Sequence, residues 1–184
     1  MSPDERRKAI LEAALPLLRE HGKSLTTRQI AEAAGIAEGT IFRVFASKEE
    51  LFDAAFDCAF DPAGMLDELE AIDRDQPVRG RLVDLATLFQ RRFLDIFTLM
   101  AALGMRKPPE RQRHEDEWRE RANRLTTELL ASDADAFRLP VDDVVRILRL
   151  LTFSGSHPHI SDNRLMTPDE IVDVVLHGTL TKES

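Results

Sequence analysis

Apolar residues recur along this chain at three- and four-residue spacing, interrupted by Gly, Pro and polar capping pairs, a pattern that predicts helices rather than strands. The first stripe, Ile10, Ala13, Ala14, Leu17 and Leu18, predicts a helix from about Asp4 to His21, ended by Gly22. Pro16 lies inside it, where the missing N–H and the ring clash lead us to expect a bend near residues 12–16. Two short segments follow. Thr26-Thr27-Arg28-Gln29 sets a Thr three residues before a Gln, a capping box that starts a helix at Thr26. Ile30, Ala31 and Ala34 face inward, and Gly35 can end the helix in the left-handed conformation without a Cβ penalty. Ile36 and Ile41 then pack inward along a second helix reaching Val44. Neither segment is long enough to stand alone, and a pair joined at a Gly has the grammar of a helix-turn-helix over residues 25–44.

Further along, Ser47-Lys48-Glu49-Glu50 is a second capping box, predicting a helix to about Phe60. Asp61-Pro62 restarts the chain for a short helix to about Asp73, with Met65, Leu66, Leu69 and Ile72 inward. Pro77 opens the longest stripe, Leu82, Leu85, Phe89, Phe93, Ile96, Met100 and Leu103, running to about Met105 and widened by Leu88, Phe97 and Leu99. Pro108-Pro109 restarts a charged helix whose one large apolar side chain before Leu125 is Trp118. The segment after Pro140 and the one after the capping box Thr167-Pro168-Asp169-Glu170 are apolar on wide arcs, which suits a subunit interface. SHPHISDNRL between them reads as a loop.

Ala37, Glu38, Gly39, Thr40 and Arg43 are left to face a partner, and most are small enough for the helix backbone to approach a groove. With these positions, the run RRKAILEAALPLLREHG followed by LTTRQIAEAAGIAEGTIFRVFASKEELF resembles the TetR-type bacterial transcriptional regulators (TetR/AcrR). The matching residues are Ile10, Ala13-Ala14, Gly22, Thr26-Thr27, Ile30-Ala31, Ala34-Gly35, Gly39-Thr40, Phe45, Ser47-Lys48 and Leu51, without gaps over residues 6–52. The resemblance implies an all-α chain of roughly nine helices: a DNA-binding head with its linker helix (4–64), then a ligand-binding and dimerising body (65–184). It also implies a homodimer that represses from a palindromic operator and is released by a small molecule.

The DNA-facing set is then Thr26, Thr27, Arg28, Ala37, Glu38, Gly39, Thr40, Phe42, Arg43 and Lys48. Thr27, Thr40 and Lys48 are assigned to phosphate or sugar, Lys48 by the resemblance, and Arg43 to a base edge. Phe42 stands where the family usually has Tyr, so a phosphate-donating hydroxyl is lost. Ala37 stands where Ser or Thr commonly caps the reading helix, forfeiting about 1 kcal/mol. Glu38 presents a carboxylate near the phosphates, and it can also accept from a cytosine amino group. Arg6, Arg7 and Lys8 are further phosphate candidates or ordinary solvated charges. With two copies paired through the last two helices, the reading helices lie about 34 Å apart, in successive major grooves.

Net charge of −8 argues at first against a nucleic-acid partner, but the charge is unevenly spread. Residues 1–48 hold eight of the 25 Lys/Arg and six of the 33 Asp/Glu, a local excess of +2 that leaves −10 on the rest. The body should repel DNA and the head hold it with modest, salt-sensitive affinity. Phe89, Arg92, Phe93, Phe97, Met100 and Trp118 are candidates for an effector pocket or plain core. No run nears the roughly 20 apolar residues of a membrane span, and the first ten residues lack a signal peptide's apolar core, so no membrane partner and a cytoplasmic location are expected. Cys58, in DAAFDCAF, reads as a small core residue. His157 and His159, and His114 beside Glu115 and Asp116, are not completed by a ligand cluster, so no metal or cofactor is expected. No catalytic motif is found, and no enzyme activity is expected. A competing reading makes the chain an interaction protein with a vestigial head and an acidic docking body.

Overall fold

The computed structural model describes residues 2–59, 63–104 and 115–179. Among them it forms nine α-helices and no strand, as the periodicity implies: α1 (Pro3–His21), α2 (Thr27–Ala33), α3 (Glu38–Ile41), α4 (Lys48–Ala59), α5 (Ala63–Glu70), α6 (Val78–Ala102), α7 (Glu115–Leu130), α8 (Val141–Ser156) and α9 (Pro168–Thr179). Two 3-10 segments, Gly22–Ser24 and Ala131–Ala136, complete the set. The chain divides into two compact units, Met1–Asp61 with Asp95–Pro109, and Pro62–Leu94 with Glu110–Ser184. The expected helix limits at Phe60, Pro62 and Met105, the restart at Pro108-Pro109 and the His114 position lie outside the described residues.

In the first unit, the Glu5 N–H donates to Ser2 Oγ (3.1 Å) and the Ser2 N–H to the Glu5 carboxylate (2.6 Å). This reciprocal cap satisfies two N–H groups that a helix start would leave bare, and α1 begins at Pro3, ahead of Asp4. Pro16 is carried inside the helix. The core gathers Ile10, Ala14, Leu18, Leu25, Ile30, Ile41, Phe45 and Leu51, with Leu99 from the end of α6 and Leu103 just beyond it. Cys58 is exposed, correcting the core assignment. The buried stripe of α4 runs through Leu51, Ala55 and Phe56, with Ala59 packed against it, and Cys58 falls off that arc.

Gly22 is the tight point of this unit. Its backbone (φ 53°, ψ −134°) lies in a region nearly closed to residues with a side chain. A Cβ there would sit 2.2 Å from the Ala102 carbonyl oxygen, a backbone atom at the end of α6.

The second unit is built on Leu82, Leu85, Ala86 and Phe89 of α6, packed with Leu129 and Leu130, Val144 and Leu148 of α8, and Ile171, Val172 and Val175 of α9. Its one buried cation among the described residues is Arg81, which donates to the Leu129 carbonyl (2.5 Å) and Ser132 Oγ (3.1 Å) and pairs with Asp133. Burying a guanidinium without partners would be prohibitive, so these acceptors fix the Ala131–Ala136 segment, which the apolar periodicity had left without an element. Arg79 clamps α6 to α9 through Asp169 and Asp173, both at 2.9 Å. Gln90 donates to Ser156 Oγ (3.1 Å) and the Met166 carbonyl (2.7 Å), holding the connection between α8 and α9.

Two measurements check this account. Gly22→Ala should lower stability by about 2–4 kcal/mol in chemical unfolding, because the strain and the backbone clash add. Gly178→Ala, which meets open space, should change it by less than about 1 kcal/mol, and equal effects would reject the packing argument. The Asp133 carboxyl is held below the usual carboxylate range first by the Ser132 hydrogen bond and then by Arg81, with burial opposing both. A carboxyl depressed on folding stabilises fully above its unfolded pKa of about 4 and loses that contribution as pH falls through the folded value. Asp133→Asn should therefore lower the melting midpoint at pH 7, with the gap to the parent closing as the pH drops below about 4.

Candidate nucleic-acid interface

The candidate surface is assembled by α2, the turn at Gly35 and α3. Thr26 caps α2: its Oγ1 accepts from the Gln29 N–H (3.3 Å), and its own N–H donates to Gln29 Oε1 (2.9 Å). At the far end Gly35 takes φ +66°, the Ile36 N–H donates to the Ala31 carbonyl (2.9 Å) and the Gly35 N–H to the Glu32 carbonyl (3.2 Å). This paired ending satisfies carbonyls that α2 would otherwise leave open and sends the chain into α3.

The reading helix is shorter than expected. Regular helix covers Glu38–Ile41, and the chain continues to Phe45 through single turns, Arg43 N–H to Thr40 (3.3 Å), Val44 N–H to Ile41 (2.9 Å) and Phe45 N–H to Ile41 (2.9 Å). Ala37 supplies no side-chain cap, so α3 gets no capping help at its start. Ile41 and Phe45 are fully buried, and this anchors the segment from below. Ala37, Glu38, Gly39, Phe42 and Arg43 are exposed on the other side, with Thr40 partly so. At 51%, the exposure of Phe42 leaves half of an aromatic side chain facing solvent at this surface. A Cβ on Gly39 would meet nothing within 4 Å, so the fold itself does not require glycine there. The bare backbone is available to a partner.

The flanking cations are partly committed to the head itself. Lys48, the first residue of α4, donates to the Lys23 carbonyl (3.2 Å) and lies 5.0 Å from the Phe52 ring centre. An ammonium has three N–H groups, so donors remain beyond the Lys23 bond. Arg7 stacks over the Phe45 ring at 4.4 Å, with Glu50 4.0 Å away, and Lys8 pairs with Glu12 at 3.8 Å. The Arg7 contacts tie α1 to the core below the reading segment and favour a structural part for Arg7, whereas the Lys8 pair lies within α1. Arg28 is exposed on α2. Thr27, assigned to phosphate or sugar on sequence grounds, donates its hydroxyl to Glu38 Oε1 at 2.6 Å, across eleven residues. No local pattern announces that bond, because it depends on the angle at which the turn sets α3 against α2.

The expected effector residues are divided between the two units. Phe89 and Phe93 belong to the core of the second unit, ring centres 6.4 Å apart, and Phe93 meets the Phe153 ring edge-on at 5.2 Å. Arg92 and Trp118 are partly buried residues of the same unit. Met100 packs on the core of the first unit, to which Phe97 also belongs.

Comparison with known proteins bears on the head most directly. Residues 10–55 match the model of the bacterial regulatory proteins of the tetR family. The uncharacterized HTH-type transcriptional regulator YhgD of Bacillus subtilis is 43% identical over 53 residues, 28% of this chain and 28% of its own. The HTH-type transcriptional repressor KstR2 of Mycobacterium tuberculosis is 40% identical over 73 residues, 39% of this chain and 34% of its own. The chain thus matches only about a third, or less, of the length of these relatives. Beyond the head the likeness is one of fold: a tetR-family transcriptional regulator from Streptomyces coelicolor superposes with a TM-score of 0.63 at 22% identity, over 97% of this chain and 80% of that one. With a capped α2, a left-handed glycine turn and a core-anchored α3 in the matched stretch, residues 10–55 form a head of the kind found in the bacterial regulatory proteins of the tetR family.

Proposed function

We propose that this chain is a DNA-binding transcriptional regulator of the cytoplasm, a repressor acting as a homodimer on a palindromic operator. The observation that carries the reading is the face from Ala37 to Arg43: small or bare at Ala37 and Gly39, exposed, and anchored from behind by Ile41 and Phe45. Such a face lets backbone and short side chains settle into a major groove, with Arg43 and Glu38 reaching base edges and Lys48 and Thr40 the sugar-phosphate rim. Thr26, Arg28 and Phe42 complete the contact set. Repression is supported by the similarity of the head to KstR2, an HTH-type transcriptional repressor.

Pairing is supported by α8 and α9, which leave large apolar side chains in solvent. Leu150 is 53% exposed and Val174 56%, with Ile147 and Phe153 beside them on α8. Such a run on two packed helices suits a self-complementary interface with a second copy. Release by a small apolar effector is the regulatory step that family membership suggests. Phe93, half-buried beside Phe153, with Phe89, Arg92 and Trp118, is where the second unit would sense it, while Met100 and Phe97 serve the head.

In a mobility-shift series on a selected operator, Lys48→Ala should weaken binding about equally on every sequence, whereas Arg43→Ala should relax preference at a single base pair. Gly39→Leu should melt like the parent and lose binding, since the position is exposed and a Cβ there meets nothing within 4 Å. Indistinguishable behaviour of all three variants would reject the assignment. Leu150→Glu should turn the dimer into a monomer in sedimentation and cut operator affinity by at least tenfold, the loss expected when one head of two disengages. A fully dimeric Leu150→Glu protein would show that α8 is not the contact.

A further inference from the structure

Among the three leading positions of the reading segment, Ala37 offers a methyl and Gly39 nothing, so Glu38 alone extends beyond its Cβ. An unrestrained glutamate on a surface samples many rotamers, and an anion facing DNA is repelled by the phosphates. Here the carboxylate is tethered: the Thr27 hydroxyl donates to Oε1 at 2.6 Å from the first turn of the neighbouring helix. A carboxylate has about four lone-pair sites, so one donated bond leaves acceptor capacity on both oxygens. The tether removes the rotamer freedom that a specific contact would otherwise have to freeze out.

A fixed anionic acceptor gains in the major groove only where a base presents an amino group. Adenine N6 stands beside the N7 acceptor, which repels a second carboxylate oxygen. Cytosine N4 has no acceptor next to it on that edge. We propose that Glu38 reads a cytosine amino group in each half-site and that Thr27 is its positioning residue, an inference resting on the DNA-binding reading of the same face. The opposite polarity at Arg43, a donor suited to guanine, gives the segment two readers of different sign.

The test is selection of bound sequences from random double-stranded DNA by the full chain and by Glu38→Ala, Glu38→Gln and Thr27→Val, each also followed by thermal melting. The parent should retain one cytosine per half-site that depends on Glu38, with roughly 5- to 100-fold discrimination. Glu38→Ala should lose discrimination there and nowhere else, and Glu38→Gln should move it toward adenine. Thr27→Val should keep the remaining motif and its melting midpoint while blurring the same position, an effect a purely structural tether would not produce. Glu38→Gln, close to isosteric, keeps the question open to decision should the alanine variant misfold. An unchanged motif in Glu38→Ala and Glu38→Gln would overturn the base contact, and intact discrimination in Thr27→Val would overturn the positioning role. A parent chain that selects no sequence would instead overturn the DNA-binding reading from which both follow.

Discussion

Burial of Ile41 and Phe45 is the constraint on which the reading surface depends. A helix of four residues cannot hold itself in water, because fixing its backbone costs about 1–2 kcal/mol per residue while almost no intrahelical hydrogen bonds form. Two large side chains taken fully from water return about 1.5–3 kcal/mol each, which comes close to that cost without clearly exceeding it. The remainder has to come from the ends of the segment. The paired hydrogen bonds at Gly35 and the Thr27–Glu38 bond supply it, at about 0.5–1.5 kcal/mol apiece. The outward face is thus shaped largely from behind, with Glu38 taking part from the face itself.

The same economy explains the cations of the head. Arg7 stacks on Phe45 and lies near Glu50, and Lys48 holds the Lys23 carbonyl. Arg7 joins α1 to the segment that carries α3, and Lys48 joins the start of α4 to the turn before α2. A charge already ordered by its own protein loses little entropy on meeting a phosphate, but its donors are partly spent. On the proposed DNA-binding reading, the contrast between residues 1–48 at +2 and the remainder at −10 would matter more for orientation than for strength, since the acidic part would repel the phosphates.

Most of the architecture was legible because it rests on local rules. Capping pairs at Thr26–Gln29, Ser47–Glu50 and Thr167–Glu170 mark helix starts that the structure satisfies, the last through the Glu170 N–H to Thr167 Oγ1 at 3.2 Å. Stripes at helical spacing found the cores of both units. What was not legible depends on how elements meet. Cys58 sits in an apolar run, yet the arc of α4 turns it outward. Periodicity extended the reading helix to Val44, whereas regular helix stops at Ile41, where Phe45 is drawn into the core by turns instead. The 3-10 segment Ala131–Ala136 owes its path to Arg81, a residue fifty positions earlier that needs acceptors. The Thr27–Glu38 bond likewise exists only after the turn has been made.

The departures in the reading segment have a consequence for how such a head would work. With Phe42 in place of a hydroxyl donor, no side-chain cap at Ala37 and a carboxylate at Glu38, the segment presents fewer donors to phosphates than its length allows. Sequence-independent affinity then falls, and with it the steepness of the salt response, since each phosphate contact releases counterions. Discrimination suffers less, because it comes from base edges and not from the backbone. One such head alone would bind weakly however selective it was. Two heads on one symmetric site combine their binding energies without new contacts, provided the pair stays together. On this reading the exposed Ile147, Leu150 and Phe153 of α8 and Val174 of α9 are as much part of operator recognition as Arg43, since an affinity low in each head becomes useful only when the second head is already at hand.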